Sequence, residues 1–315
     1  MKLEEGKNLV QIKLIFLGTS SSIPTCDRNL TSLALLRGKE ILLFDVGEGT
    51  QRQIIKANIG FNKITKIFIT HLHGDHLLGV LGLLQTMSLY KRTESLNIYG
   101  PRGIIGFIKH NIKYLKFRLT YNININQIKS GLVLEEKEYC IKALKSEHSV
   151  QSYAYTLEEY DRPGPFFPEK AVELGIPKGK LWSDLQQGKS IDVEHKKINP
   201  NQVLGPKRSG RKIGISGDTR PILRLLKFFS KSDIIIFDST YGKEYTDKAK
   251  ENMHSTCVEA AQMAKKAQAK LLILTHFSAR YRDVTDLISQ ALEVHPKVLA
   301  ASDFNIIEVP YSNSG

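Results

Sequence analysis

The run His71-Leu72-His73-Gly74-Asp75-His76 reads as H-x-H-x-D-H. Imidazole and carboxylate are the donors that borderline and hard divalent cations take. His71 and His73 are two residues apart, so in extended backbone both side chains converge on one ion. Asp75 and His76 follow as the chain turns into a helix, and they face a second ion. Three histidines and an aspartate in so short a stretch have no place in a packed core, which does not tolerate them unpaired. Six residues cannot close two metal shells, so further ligands must come from a distance. Candidates stand at other strand ends. They are His148 after Tyr139–Lys145, Asp218 in Gly217-Asp218-Thr219, and His276 after Leu271–Thr275. His254 lies just before Thr256 and Glu259, a T-x-x-E capping box, and a helix N-terminus favours phosphate.

The elements that position these residues are legible in the hydrophobic pattern. Apolar runs at 12–17, 32–36, 41–46, 66–70, 213–216, 234–238 and 271–275 read as strands bounded by Gly, Asp or charged residues. Helical spacing covers 77–90, 104–119 and 256–270. Strands that alternate with helices, with polar loops at strand ends, predict a layered α/β fold. In such folds the sites gather at strand ends. From 151 to 206 this rhythm fades. Pro163, Gly164, Pro165, Pro168, Gly175, Pro177, Gly179 and Gly188 crowd into that segment, which reads as an insertion projecting from the body.

The chain has 315 residues, with 45 Lys+Arg against 32 Asp+Glu, a net charge of +13. That excess favours a polyanionic partner such as RNA or DNA over a basic one. No apolar run reaches the ~18–20 residues of a membrane helix, and the first residues carry no apolar signal core. Cys26, Cys140 and Cys257 are far apart, which argues against a disulfide framework or a zinc ribbon and for a reducing, cytoplasmic interior.

Further stretches narrow the reading: Gly18-Thr19-Ser20 through Pro24, Arg28-Asn29, Asp45-Val46-Gly47-Glu48-Gly49-Thr50-Gln51, His254-Ser255-Thr256 and His276-Phe277-Ser278-Ala279-Arg280-Tyr281. Together with H-x-H-x-D-H they resemble the metallo-β-lactamase superfamily and, more narrowly, the short-form ribonuclease Z family of tRNA 3′-processing endoribonucleases. The resemblance implies a four-layer αββα sandwich of two mixed sheets with a projecting exosite arm. Residues 1–315 would then form a single domain, with 151–206 inserted as arm and basic loop.

The resemblance also implies two Zn2+ per subunit. His71, His73 and His148 would hold the first, Asp75, His76 and His276 the second, and Asp218 would bridge both. Such a shell also accepts manganese or iron. Asp75 takes the family role of general base and His254 that of general acid, supported by Asp238 where the family commonly has Glu. Asp45, Glu48 and Gln51 would support the site from outside. Arg28 is the implied phosphate contact of the first loop, in which Cys26 replaces the usual Lys. Arg280 would face substrate or sit in a salt bridge. Leu174 through Trp182 resembles the exosite arm, with Lys178 and Lys180 toward RNA. From Lys178 through Arg220 there are ten Lys/Arg and four Asp/Glu, a locally basic stretch. The implied reaction removes the 3′ trailer of precursor tRNA, leaving a 3′-hydroxyl on the tRNA and a 5′-phosphate on the trailer. The implied assembly is a homodimer.

Overall fold

The structure, a computed structural model, describes residues 10–311. They divide into two compact units. The larger comprises 10–157 and 212–310, and the smaller comprises Glu158–Arg211 with Tyr311.

In the larger unit the chain builds two seven-stranded mixed sheets. The N-terminal sheet runs in the order Ile306–Glu308, Ile12–Gly18, Ser32–Arg37, Glu40–Phe44, Ile64–Phe68, Leu96–Gly100, Ile123–Gln127. Its first four strands pair antiparallel, and from Glu40–Phe44 onward the pairing is parallel. The C-terminal sheet runs Val298–Ala300, Leu271–Thr275, Ile234–Asp238, Lys212–Ile215, Tyr153–Glu159, Tyr139–Lys145, Gly131–Glu135. Its first four strands are parallel.

Three apolar cores explain the layering. One lies between the sheets, where Phe16, Phe44 and Phe68 meet Tyr155, Ile213 and Ile236. A second joins the outer face of the N-terminal sheet to Gly79–Leu89 and Ile104–Leu115, through Val80, Leu83, Leu84, Ile104 and Ile108. A third covers the C-terminal sheet with Cys257–Lys266 and Thr285–Leu292, through Ala260, Ala264, Leu287 and Ala291. Strands buried on both faces are why these segments read as continuous apolar runs without alternation. The four-layer αββα class follows directly from these contacts.

Several boundaries differ from the sequence reading. The run 41–46 ends as a strand at Phe44, because Asp45 turns to φ 58°. The stretch 77–90 is preceded by a separate turn, Gly74–Leu77, which carries Asp75 and His76. The helix begun at Ile104 stops at Leu115, capped by Lys116 at φ 50°. Tyr153–Glu159, placed by the sequence reading within the irregular segment, is a strand of the C-terminal sheet.

The smaller unit has its own core of Ala171, Ile176, Leu185, Ile191, Ile198 and Val203, flanked by Phe166 and Trp182. It contains helices Pro168–Glu173 and Lys180–Gln186 and the hairpin Ile191–Val193/Lys196–Ile198. Glu194 and His195 form the hairpin tip, both at positive φ, the signature of a tight two-residue turn. The Pro and Gly density here encodes turns between short elements.

Phe68 is fully buried beneath the H-x-H-x-D-H loop. It stacks on Phe44 and Tyr99 at 5.0 and 4.9 Å and meets Tyr155 edge-on at 5.6 Å. Removing this ring leaves a cavity between the sheets, at a cost of about 3–5 kcal/mol. Phe68→Ala is therefore expected to lower the urea midpoint without changing the slope. An unchanged midpoint would contradict the packing described.

Candidate metal centre

Six strands end at one place. Asp45 follows Glu40–Phe44, His71 follows Ile64–Phe68 by three residues, and His148 follows Tyr139–Lys145 by the same interval. Asp218 comes after Lys212–Ile215, Asp238 closes Ile234–Asp238, and His276 directly follows Leu271–Thr275. Thus both sheets contribute, which is how residues far apart in sequence meet.

Two groups of donors form. His71, His73, His148 and Asp218 present ligand atoms within 4.8 Å of one another, as do Asp75, His76, Asp218 and His276. Asp218 belongs to both. Its carboxylate is buried, and among the described residues its ion-pair partners are all imidazoles: His71, His76, His148, His254 and His276, at 3.3–3.9 Å. His254 and Asp238 form a further overlapping group with Asp218 and His276.

The outer hydrogen bonds fix the ring orientations. Asp45 accepts from His76 Nδ1 (2.7 Å) and from the Thr70 hydroxyl (2.8 Å) and amide (2.7 Å). Thr70 Oγ1, its proton given to Asp45, accepts from His71 Nδ1 at 2.9 Å. Asp238 repeats the arrangement. It accepts from His254 Nδ1 (2.9 Å), from the Thr240 hydroxyl (2.7 Å) and from the amides of Thr240 and Thr219. Thr240 Oγ1 then accepts from His276 Nδ1 at 2.8 Å. His148 Nδ1 donates to the Met253 carbonyl at 2.9 Å. Each buried aspartate therefore holds one histidine directly and a second through a threonine hydroxyl.

In the neutral rings, with Nδ1 committed as donor, Nε2 of His71, His148 and His276 is a lone pair pointing inward, and that of His76 becomes one when its second proton is displaced. His71 Nε2 and His148 Nε2 lie 3.0 and 3.2 Å from His73 Nδ1, and His76 Nε2 lies 3.3 Å from His276 Nε2. Lone pairs this close repel unless a proton or a cation sits between them. The donor set of imidazoles and carboxylates, with orphaned lone pairs around a shared buried carboxylate, fits divalent metal.

Proton affinities reflect this crowding. Burial works against charge on His76, yet Asp218 and Asp45 hold it well above the ordinary range. Burial, aided by His76, pushes His71 well below it. Burial also opposes ionisation of Asp75, but its contacts with His276 and His76 prevail, and the carboxylate stays ionised. At His254 burial disfavours the cation, while Asp238 overrides it and raises the pKa to about 9.

Two residues of the site carry backbone strain. Asp45 and His276 adopt φ of 58° and 64°, a left-handed conformation costing on the order of 1–2 kcal/mol for a non-glycine residue. Gly217, at φ 57°, precedes Asp218, and a Cβ there would lie 2.9 Å from Thr70.

The remaining expected residues lie as follows. Arg28 donates to the carbonyls of Tyr281 (2.6 Å) and Arg282 (3.2 Å), tying the first loop to the one after His276. Its guanidinium is occupied by the protein's own backbone. Arg280 lies over Tyr245 and Tyr241 at 4.4 and 5.0 Å and has no ion pair among the described residues. Lys178 reaches over Trp182 at 5.7 Å, and Lys180 opens Lys180–Gln186. Cys26 is exposed. Glu48 is exposed and Gln51 is half-buried, while Asp45 carries the support expected of that stretch. Of the basic stretch, Arg211 pairs with Glu159, and Arg220 pairs with Glu259 and donates to the His254 carbonyl. Sequence reasoning missed Thr70, Thr240 and Arg220. The adjacency Thr70-His71 and the spacing Asp238-Ser239-Thr240 were the available signals.

The fold identifies the class. The metallo-β-lactamase fold protein YhfI of Bacillus subtilis superposes with a TM-score of 0.68, covering 95% of this chain and 100% of its own, at 17% identity. The chain has the metallo-β-lactamase fold. A family profile described as Anti-Pycsar protein Apyc1 matches residues 12–160. Ribonuclease Z of Nitrosopumilus maritimus is 50% identical over 298 residues, 95% of this chain and 100% of that protein. The short form of human tRNase Z is 29% identical, with a TM-score of 0.71 and coverage of 95% and 99%. The chain belongs to the ribonuclease Z family, a family of hydrolytic nucleases.

The Asp238 contact can be measured. In metal-free protein, His254 is expected to remain protonated through neutral pH and to lose its proton near pH 9 by histidine NMR. Asp238→Asn removes the largest raising charge and leaves burial and Asp218, so the midpoint should fall well below 9. An unchanged midpoint would show that Asp238 does not set it.

Proposed function

We propose that the chain is a zinc-dependent endoribonuclease that removes the 3′ trailer from precursor tRNA, leaving a 3′-hydroxyl on the tRNA and a 5′-phosphate on the trailer. The coarser statement, a tRNA 3′-processing endoribonuclease, follows from family membership. The observation that carries the finer reading is the convergence of His71, His73, Asp75, His76, His148, Asp218 and His276 beside the His254–Asp238 pair.

In this reading His71, His73 and His148 would hold one zinc ion, Asp75, His76 and His276 would hold a second, and Asp218 would serve both. When bound, the pair supplies Lewis acidity and lowers the pKa of water towards ~7. The chain's own groups move the protons. Asp75, kept ionised by its histidine neighbours, orients the attacking water and accepts its proton. The water oxygen bonds to phosphorus as the bond from phosphorus to the 3′ oxygen breaks. His254 delivers its Nε2 proton to that leaving oxygen, while Asp238 fixes the Nδ1 proton and stabilises the cation. The buried Asp238 carboxylate favours the His254 cation and so keeps the acid loaded.

Substrate grip is assigned to Arg280, whose guanidinium is stacked but not ion-paired, and to Lys178 and Lys180 of the 151–206 segment. The family resemblance supports an exosite arm for that segment and a homodimer in which one subunit's arm serves the other's site. No described helix is long and apolar enough to cross a membrane. A tRNA substrate and three free cysteines support a cytoplasmic setting.

The role of His254 separates from that of a ligand. A p-nitrophenolate leaving group needs no proton, whereas a ribose 3′ oxygen does. His254→Ala should lower kcat on precursor tRNA by about 10²–10⁴-fold. Hydrolysis of bis(p-nitrophenyl) phosphate and the bound zinc content should change little. Equal losses on both substrates, or loss of zinc, would refute the assignment.

A further inference from the structure

The smaller unit closes on itself through two short segments, 159–162 and 208–211. Glu159 N donates to the Arg211 carbonyl at 2.9 Å, and Arg162 and Arg208 exchange both backbone hydrogen bonds at 2.8 and 2.9 Å. A Cβ on Gly210 would lie 2.2 Å from the Glu159 carbonyl oxygen, so the two backbones touch. The Arg211 guanidinium makes a two-pronged pair with Glu159, at 2.7 and 2.9 Å, and both side chains are buried. Arg162 differs. Its Nε is buried and has no hydrogen-bond partner among the described residues. Tyr311 fills the gap. Its ring centroid lies 3.4 Å from the Arg162 guanidinium carbon and 3.7 Å from that of Arg211. Two guanidiniums at these distances cannot share one face, so the ring is sandwiched between them.

We propose that Tyr311 is a positioning residue that clasps this neck and stiffens the Glu158–Arg211 segment for binding precursor tRNA. The tRNA part rests on the reading of that segment as an exosite arm, and the clasp itself does not. A guanidinium whose buried Nε lacks a hydrogen-bond partner gains from an aromatic face. The ring also stands between the like charges of Arg162 and Arg211. Two paired strands alone are marginal in water. The clasp therefore sets how often the neck opens.

The test uses the full chain, loaded with zinc, as Tyr311→Ala and Tyr311→Phe. Proteolytic cutting within 158–211 is expected to quicken on the order of tenfold in Tyr311→Ala and to stay at the wild-type rate in Tyr311→Phe, which keeps the ring. KM for precursor tRNA should rise several-fold in Tyr311→Ala only, while kcat and bis(p-nitrophenyl) phosphate hydrolysis hold. Unchanged proteolysis in Tyr311→Ala, or failure of Phe to restore it, overturns the clasp. Faster proteolysis with an unchanged KM sustains the clasp and overturns the tRNA role of the segment.

Discussion

The site depends on carboxylates buried where no lysine or arginine serves them. Asp45 sits just past the end of the central strand of one sheet and Asp238 at the end of a strand in the other. Each is neutralised by imidazoles, hydroxyls and backbone amides. Leaving a carboxylate in such a place with a missing partner costs several kcal/mol. That cost fixes geometry: Thr70, Thr240 and the histidine Nδ1 atoms have one arrangement that satisfies all of them. Asp218, at the centre, is satisfied among the described residues by the imidazoles of the cluster. The inward lone pairs follow from these outer contacts, and so does the affinity for cations.

The architecture around the carboxylates serves the same end. Two sheets pack face to face, and their strand ends meet, so four separate sequence regions, at 71–76, 148, 218 and 276, deliver the seven donors to one volume. Cross-sheet contacts lock the approach. Tyr155 donates to the Ile69 carbonyl at 2.8 Å, and Tyr153 N donates to the Thr70 carbonyl at 3.0 Å, both just ahead of His71. The positive φ of Asp45 and His276 is strain that this surrounding packing holds in place.

Much of this was legible in the sequence, for physical reasons. Buried strands announce themselves as apolar runs, and the H-x-H-x-D-H cluster has no reading as core. The capping box at Thr256 and Glu259 forms as its spacing requires. What stayed hidden depends on tertiary contact. Threonine at a strand end reads as strand propensity, so nothing local shows that Thr70 and Thr240 relay a carboxylate to a histidine. Arg28 and Arg220 read as charges available to RNA, because their carbonyl and carboxylate partners lie 34 or more residues away. The strand Tyr153–Glu159 was masked by the prolines and glycines that follow it. The shorter Asp238 still reaches His254, since the backbone at Thr219 and Thr240 closes around it.

The central claim is that seven converging donors make a two-zinc site that performs the cleavage. Titrating metal-free protein with zinc, while following both bound metal and the ends of the products from one precursor tRNA, tests it most directly. The account predicts two equivalents bound per chain, cleavage that appears as they bind, and a single tRNA product ending in a 3′-hydroxyl. Two equivalents bound without cleavage, or a product ending in a 3′ phosphate, would contradict it.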